Sequence, residues 1–178
     1  MSAPIARNIL LVGFMGTGKS SLAQILSRKT GALLVDSDST IEKQTGMPIS
    51  TLFAERGEEA FRDAETELLR TQLEKSGYII STGGGMVIRE ENRQLLREIG
   101  LVVWLRASEE VIFSRVSRNS RRPLLQTADP RGTLHALLET REPWYREVAD
   151  LEIDTGKLSR ETGARAVLQA AGWECQPT

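Results

Sequence analysis

The sequence predicts an α/β fold, one parallel β-sheet with helices packed on both faces. Three observations carry that expectation. Short apolar runs alternate with amphipathic stretches at helical spacing along the chain. The runs are Leu, Ile and Val with little polar alternation, as in strands buried on both faces. Finally, Gly13-Phe14-Met15-Gly16-Thr17-Gly18-Lys19-Ser20 joins the first apolar run to the first helical pattern with the spacing G-x-x-x-x-G-K-S.

Taken in order, strands are expected at Ile9–Val12, Ala32–Val35, Tyr78–Ser81, Leu101–Leu105 and Leu151–Ile153. Helices are expected near 18–30, 58–75, 90–98, 108–117, 131–148 and 159–171, with a short one over Ser39–Thr45. In the first helix Leu22, Ile25 and Leu26 fall on one face. The helix after Glu58 carries a stripe of Phe61, Leu68, Leu69 and Leu73, and the helix from Arg131 one of Leu134, Leu137, Leu138, Tyr145 and Val148. Ser117 to Gly132 mixes Arg118, Arg121 and Arg122 with Pro123, Asp129 and Pro130 and interrupts two helices, so it reads as a mobile lid.

A chain of 178 residues suits one well-cored domain, here 1–178. The net charge of −1, without long runs of one sign, gives no footprint for nucleic acid or a membrane surface. No apolar stretch is long enough to span a bilayer, and the N-terminus is too short and polar for a signal peptide. The single cysteine, Cys175, allows no internal disulfide. A cytoplasmic monomer is expected.

The glycine-rich motif predicts a phosphate-binding loop. Glycines let backbone N–H groups curl around an anion, and the following helix N-terminus adds free N–H groups and partial positive charge. Lys19 would reach the outer phosphates and Ser20 would hold Mg²⁺.

Ligands of such sheets sit at the carboxyl ends of the strands. The second strand ends in Asp36-Ser37-Asp38. One carboxylate can face a metal and the other a substrate hydroxyl, while Asp36 or Ser37 can also cap the next helix. The third ends in Thr82-Gly83-Gly84-Gly85, which reads either as a close approach to a small molecule or as a flexible turn. No acidic residue follows that strand, so Asp36 is the better candidate for the metal's outer sphere.

Two arginines are anomalous. Glu65 falls on an apolar stripe with Arg62 at its edge, and the pair would orient the guanidinium. Arg141 lies on the later stripe. Together with the glycine run they imply a bound carboxylate or phosphate beyond those of a nucleotide, which suits the planar fork of arginine. His135, the only histidine, reads as a surface or boundary residue, and Trp104, Trp144 and Trp173 as packing.

In these residues the chain resembles the shikimate kinases from Asn8 to about Ala171. The resemblance rests on residues 13–20, Asp36-Ser37-Asp38, Phe61-Arg62-Asp63-Ala64-Glu65, Thr82-Gly83-Gly84-Gly85, Arg122-Pro123-Leu124-Leu125 and Arg141-Glu142-Pro143-Trp144-Tyr145. It implies a nucleoside-monophosphate-kinase-like fold with a five-stranded parallel sheet in the order 2-3-1-4-5, and MgATP-dependent phosphorylation of the shikimate 3-hydroxyl in aromatic amino-acid biosynthesis. ATP and shikimate would be its only partners. The resemblance also implies site roles. Asp38, Arg62, Arg141 and the run Gly83, Gly84 and Gly85 would bind shikimate, in a region that includes helices over 37–75. Gly16, Thr17, Gly18, Lys19, Ser20 and Ser21 would bind the ATP phosphates, with Ser20 on Mg²⁺ and Asp36 near it through water. Arg122 would come from the closing lid and Arg115 would lie beside the adenine. The family pattern has an adenine-side arginine soon after the last strand. Here Asp154-Thr155-Gly156-Lys157-Leu158 stands there, with Lys157 as an open replacement.

Lys19, Mg²⁺ and Arg122 would then spread the charge of the migrating phosphoryl group, and Asp38 would orient the attacking hydroxyl and accept its proton. A kinase for another hydroxy-acid, such as gluconate, would need a different hydroxyl-binding set. A nucleotide kinase would need a second nucleobase pocket. A regulatory GTPase would need Asn-Lys-x-Asp, which the sequence lacks.

Overall fold

A computed structural model describes residues 7–117 and 127–174. The chain order is β1 (Asn8–Val12), α1 (Lys19–Thr30), β2 (Leu33–Asp36), α2 (Ser37–Thr45), α3 (Ile49–Arg70), β3 (Tyr78–Ser81), α4 (Glu90–Ile99), β4 (Gly100–Arg106), α5 (Glu109–Ser117), α6 (Pro130–Val148), β5 (Leu151–Asp154) and α7 (Arg160–Ala171). All pairings are parallel, in the order β2-β3-β1-β4-β5.

The alternation of side chains along a strand splits the core into two layers. Leu10 and Val12 of β1 join Ile80, Val102 and Trp104 on the face covered by α4 and α6. Ile9 and Leu11 join Ile79, Val103 and Leu105 on the face covered by α1 and α7. Central β1 is buried throughout, as an apolar run without alternation predicts. A third cluster, Ile41, Leu52, Phe61 and Leu68, holds α2 against α3 beyond the sheet edge.

Three expectations need correction. Strand β2 is not buried on both faces: it is an edge strand, and Leu33 is 64% and Leu34 37% exposed. The helix expected near 58–75 runs from Ile49 to Arg70, with a real break at Gly57, whose φ of 82° is left-handed. Its first stretch, with Ile49, Leu52 and Phe53 facing α2, escaped the pattern reading. Leu73 lies past the helix end and is exposed, so it does not extend the stripe. Ser117 closes α5 and Pro130–Gly132 open α6, where Asp129 caps Gly132 N–H at 2.9 Å, so the expected lid overlaps both helices at its ends. Residues 118–126, including Arg122 and Pro123, lie outside the described residues, as does Cys175. No helix of the described residues is long and apolar enough to cross a membrane.

Candidate active site

The loop after β1 turns through Gly16 at φ 79° and Gly18 at φ 94°, both left-handed, and α1 starts at Lys19 without a side-chain cap. The N–H groups of its first turn are therefore available to an anion. Lys19 is 8% exposed, and its Nζ donates to Gly13 O at 2.7 Å and Phe14 O at 2.9 Å. Two clefts flank this loop and share Gly16, Gly18 and Ser21. One, of about 220 Å³, is lined by Thr17, Leu105, Arg115, Thr155, Leu158 and Arg160. The other, of about 330 Å³, is lined by Lys19, Ser20, Asp36, Asp38, Gly83 and Gly84.

At the end of β2, Asp36 Oδ1 accepts the Ser39 N–H at 3.0 Å and caps α2, while Asp36 also faces the larger cleft. Capping and a place in the cleft thus coexist. Ser37 Oγ accepts the Gly83 N–H at 2.8 Å and donates to Asp38 Oδ1 at 3.1 Å, which ties the end of β2 to the glycine run. Crowding by protein pushes the Asp38 pKa above the usual aspartate value, with the Ser37 hydroxyl and Lys19 opposing. Its side chain keeps a solvent face in the cleft, which limits the rise.

Two of the three glycines are explained by space. None of them has a positive φ. A Cβ on Gly83 would lie 2.8 Å from Asp38 Oδ1 and 3.2 Å from Glu65 Oε1, and one on Gly85 would lie 2.2 Å from Arg62 Nη1. On Gly84 the nearest atom would be Met15 N at 3.4 Å, an ordinary contact. Gly83 and Gly85 are thus small because charged side chains press against them.

Those side chains come from α2 and α3. Arg62 is 7% exposed and all three guanidinium nitrogens donate: Nη1 to Glu65 Oε2 at 2.7 Å, Nη2 and Nε to Glu58 Oε1 at 2.9 and 3.2 Å. One N–H remains on each of Nη1 and Nη2 for a further acceptor. Burial works against the Arg62 charge, yet Glu65 and Glu58 outweigh it, and its pKa ends above the usual value. Glu65 is fully buried; burial raises its pKa against the pull of Arg62, and its Oε1 has no hydrogen-bond partner among the described residues. The expected Arg62–Glu65 pair is therefore present, and Glu58 was missed. Arg141, also 7% exposed, reaches the same run from α6: its Nη1 points at Gly84 O at 3.5 Å and its guanidinium lies 5.7 Å over the Phe14 ring. One turn later the Tyr145 hydroxyl donates to that same carbonyl. The pattern reading took Tyr145 only as core.

Other expected residues sit elsewhere. Arg115 is exposed and donates to Gly16 O at 3.1 Å, Thr155 Oγ1 at 3.0 Å and Thr155 O at 2.9 Å, in the smaller cleft. Lys157 is 84% exposed in its side chain, lies 3.8 Å from Asp154 and does not line that cleft; Arg160 does. His135 is on the surface, its Nδ1 2.8 Å from Glu109.

The family model for shikimate kinase matches residues 15–171. The chain belongs to the shikimate kinase family and is a small-molecule kinase. A shikimate kinase of Bordetella avium is 47% identical over 160 residues, covering 90% of this chain and 77% of that protein. One of Thermodesulfovibrio yellowstonii is 45% identical over 163 residues, covering 92% and 94%. Among solved structures, a shikimate kinase from Acinetobacter baumannii in complex with shikimate superposes with a TM-score of 0.86 at 38% identity, covering 92% of each chain. The sheet order implied by the sequence resemblance is the order found. The matched span contains Lys19, Asp38, Arg62, Arg115 and Arg141.

Proposed function

We propose that this chain transfers the γ-phosphoryl group of ATP to the 3-hydroxyl of shikimate, with the acceptor bound in the larger cleft. The observation that supports this most is the pairing of Asp38 with two buried arginines, Arg62 and Arg141, around one glycine run. A cyclic hydroxy-acid presents a carboxylate at one end and hydroxyls at the other, and this arrangement offers a fork for the first and an acceptor for the second.

Arg62 and Arg141 grip the carboxylate. Asp38 accepts a hydrogen bond from the reacting hydroxyl, aligns its oxygen and takes its proton as the O–P bond forms. The N–H groups of Gly16 to Ser21 cradle the phosphates, and Lys19 leaves the Gly13 and Phe14 carbonyls to follow the phosphate charge. Arg122, by the family resemblance, adds a further positive charge from a lid over about 117–132. Arg115 and Leu158 flank the nucleoside in the smaller cleft. Ser20 and Asp36 both face the larger cleft with oxygen donors, a set that fits Mg²⁺, which prefers oxygen and keeps several waters. Such an ion neutralises phosphate charge when bound. Ser20 would hold it directly and Asp36 through water.

ADP release measured with shikimate, with gluconate and without acceptor tests this reading. Turnover should require shikimate and Mg²⁺. ATP consumption that is equal without acceptor, or that occurs only with gluconate, would overturn it.

A further inference from the structure

Two donors converge on one carbonyl. Gly84 O accepts the Tyr145 hydroxyl, and Arg141 Nη1 points at it from 3.5 Å. Arg141 and Tyr145 are four residues apart on α6 and so share one face. Tyr145 is 2% exposed, and its ring stacks on Trp104 with centroids 6.2 Å apart at 21°. The phenol has little freedom to point elsewhere. Burial pushes its pKa well up, so it is a neutral donor at any working pH.

The two arginines at the glycine run differ; neither lines the larger cleft itself, and each meets the run beside it. Arg62 is locked by Glu58 and Glu65. Among the described residues no carboxylate lies within ion-pair distance of Arg141; it makes the long approach to Gly84 O, lies over the face of Phe14, and sits close enough to the Tyr145 hydroxyl and Glu65 to act on both with its charge. A buried guanidinium seeks an acceptor. Gly84 O is the backbone acceptor within its reach, and a guanidinium that closed on it would have fewer N–H groups for an incoming carboxylate.

We infer that Tyr145 is a positioning residue for the acceptor carboxylate: its hydroxyl takes one of the two acceptor positions of the Gly84 carbonyl and fixes that oxygen, so Arg141 makes only a long contact there and its fork stays available to substrate. It touches neither substrate nor nucleotide. It also pins the middle of the glycine run, between Gly83, whose N–H donates to Ser37 Oγ, and Gly85, whose carbonyl accepts the Ile88 N–H. This inference rests on the acceptor site proposed above.

The test is Tyr145→Phe in the full chain, with shikimate and its primary carboxamide as ligands. Phenylalanine keeps the ring and the stack on Trp104. The dissociation constant for shikimate should rise about fivefold or more, the order of one charge-adjacent hydrogen bond. Binding of the carboxamide should hardly change, so the preference for acid over amide falls in the same proportion. The shikimate KM should rise likewise, with kcat and the ATP KM within about twofold of wild type. Tyr145→Met, which fills space without ring or donor, must lose the same preference. A purely structural role predicts something else: a lower unfolding midpoint, both KM values and kcat disturbed together, and the acid preference intact. That result in a folded variant overturns the role of Tyr145. Wild-type protein that shows no preference for the acid would bring down the acceptor site as well, so the two failures are told apart.

Discussion

On one side of the phosphate-binding loop Arg115 is exposed and, among the described residues, bonds to oxygens of Gly16 and Thr155; on the other Arg62 is 7% exposed and held by two carboxylates. The contrast extends to whole clefts. The proposed nucleotide side is lined by Thr17, Leu105, Arg115, Thr155, Leu158 and Arg160, with no buried ion pair among its described residues. The acceptor side packs Arg62, Glu65, Arg141 and Tyr145 against three glycines. A polyphosphate brings its own charge and is satisfied by N–H groups at a helix N-terminus. A small hydroxy-acid has one carboxylate and a few hydroxyls, and telling it from its relatives needs side chains fixed before it arrives. The buried charges are kept in place at a cost in desolvation that only paired partners offset.

Substitutions that break each side separately sharpen this comparison. The largest effect belongs at the reacting centre. Asp38→Asn should lower kcat by roughly a hundredfold or more while leaving ATP binding largely intact. Lys19→Ala should cost a similar factor but weaken nucleotide handling as well. An Asp38→Asn enzyme with near-normal turnover would remove the base from the acceptor side.

Next come the arginines. Arg141→Lys should raise the shikimate KM roughly tenfold or more, because a point charge does not replace a fork, with the ATP KM unchanged. The glycines give a finer test. Gly85→Ala places a Cβ 2.2 Å from Arg62 Nη1 and should pry the guanidinium from Glu65, whereas Gly84→Ala meets nothing closer than 3.4 Å. Shikimate affinity should fall clearly in the first and little in the second. Equal losses would show that the run is needed for its backbone and not for the room it gives Arg62.

The pH profile carries a smaller, directional effect. Burial raises the Asp38 pKa, so the proposed base would be protonated over a wider acid range than an ordinary aspartate. The acid limb of kcat/KM for shikimate should therefore turn down at a midpoint above 3.8, the ordinary aspartate value. A limb at or below that value would mean that the Ser37 and Lys19 contacts outweigh crowding. The smallest effect is expected on the exposed side. Arg115→Ala should raise the ATP KM only a few-fold and leave the shikimate KM alone.

The two sides also differed in how far the sequence disclosed them. The phosphate loop is local: strand, glycines, lysine and helix are consecutive, so spacing reveals it. Arg62 and Arg141 were legible because Glu65, with Arg62 at its edge, and Arg141 are charges on apolar stripes, a local conflict that only a partner resolves. Tyr145 was not, since a tyrosine on such a stripe looks like core until its hydroxyl is seen against Gly84. The reason for Gly83 and Gly85 was hidden because the crowding side chains come from α2 and α3. Arg160 was missed at the nucleotide side because its approach to the loop depends on how α7 packs on α1. The exposure of Leu33 and Leu34 follows from β2 lying at the edge, a result of non-local pairing. The early half of α3 was masked by Gly57 and the charged residues around it.

The central claim, that the acceptor side is an arginine fork built for a carboxylate, is tested most directly by calorimetric binding of shikimate and its carboxamide to the wild-type chain. The acid should bind at least about tenfold more tightly than the amide, because the amide offers the arginines no charge. Equal affinities for the two ligands would contradict it.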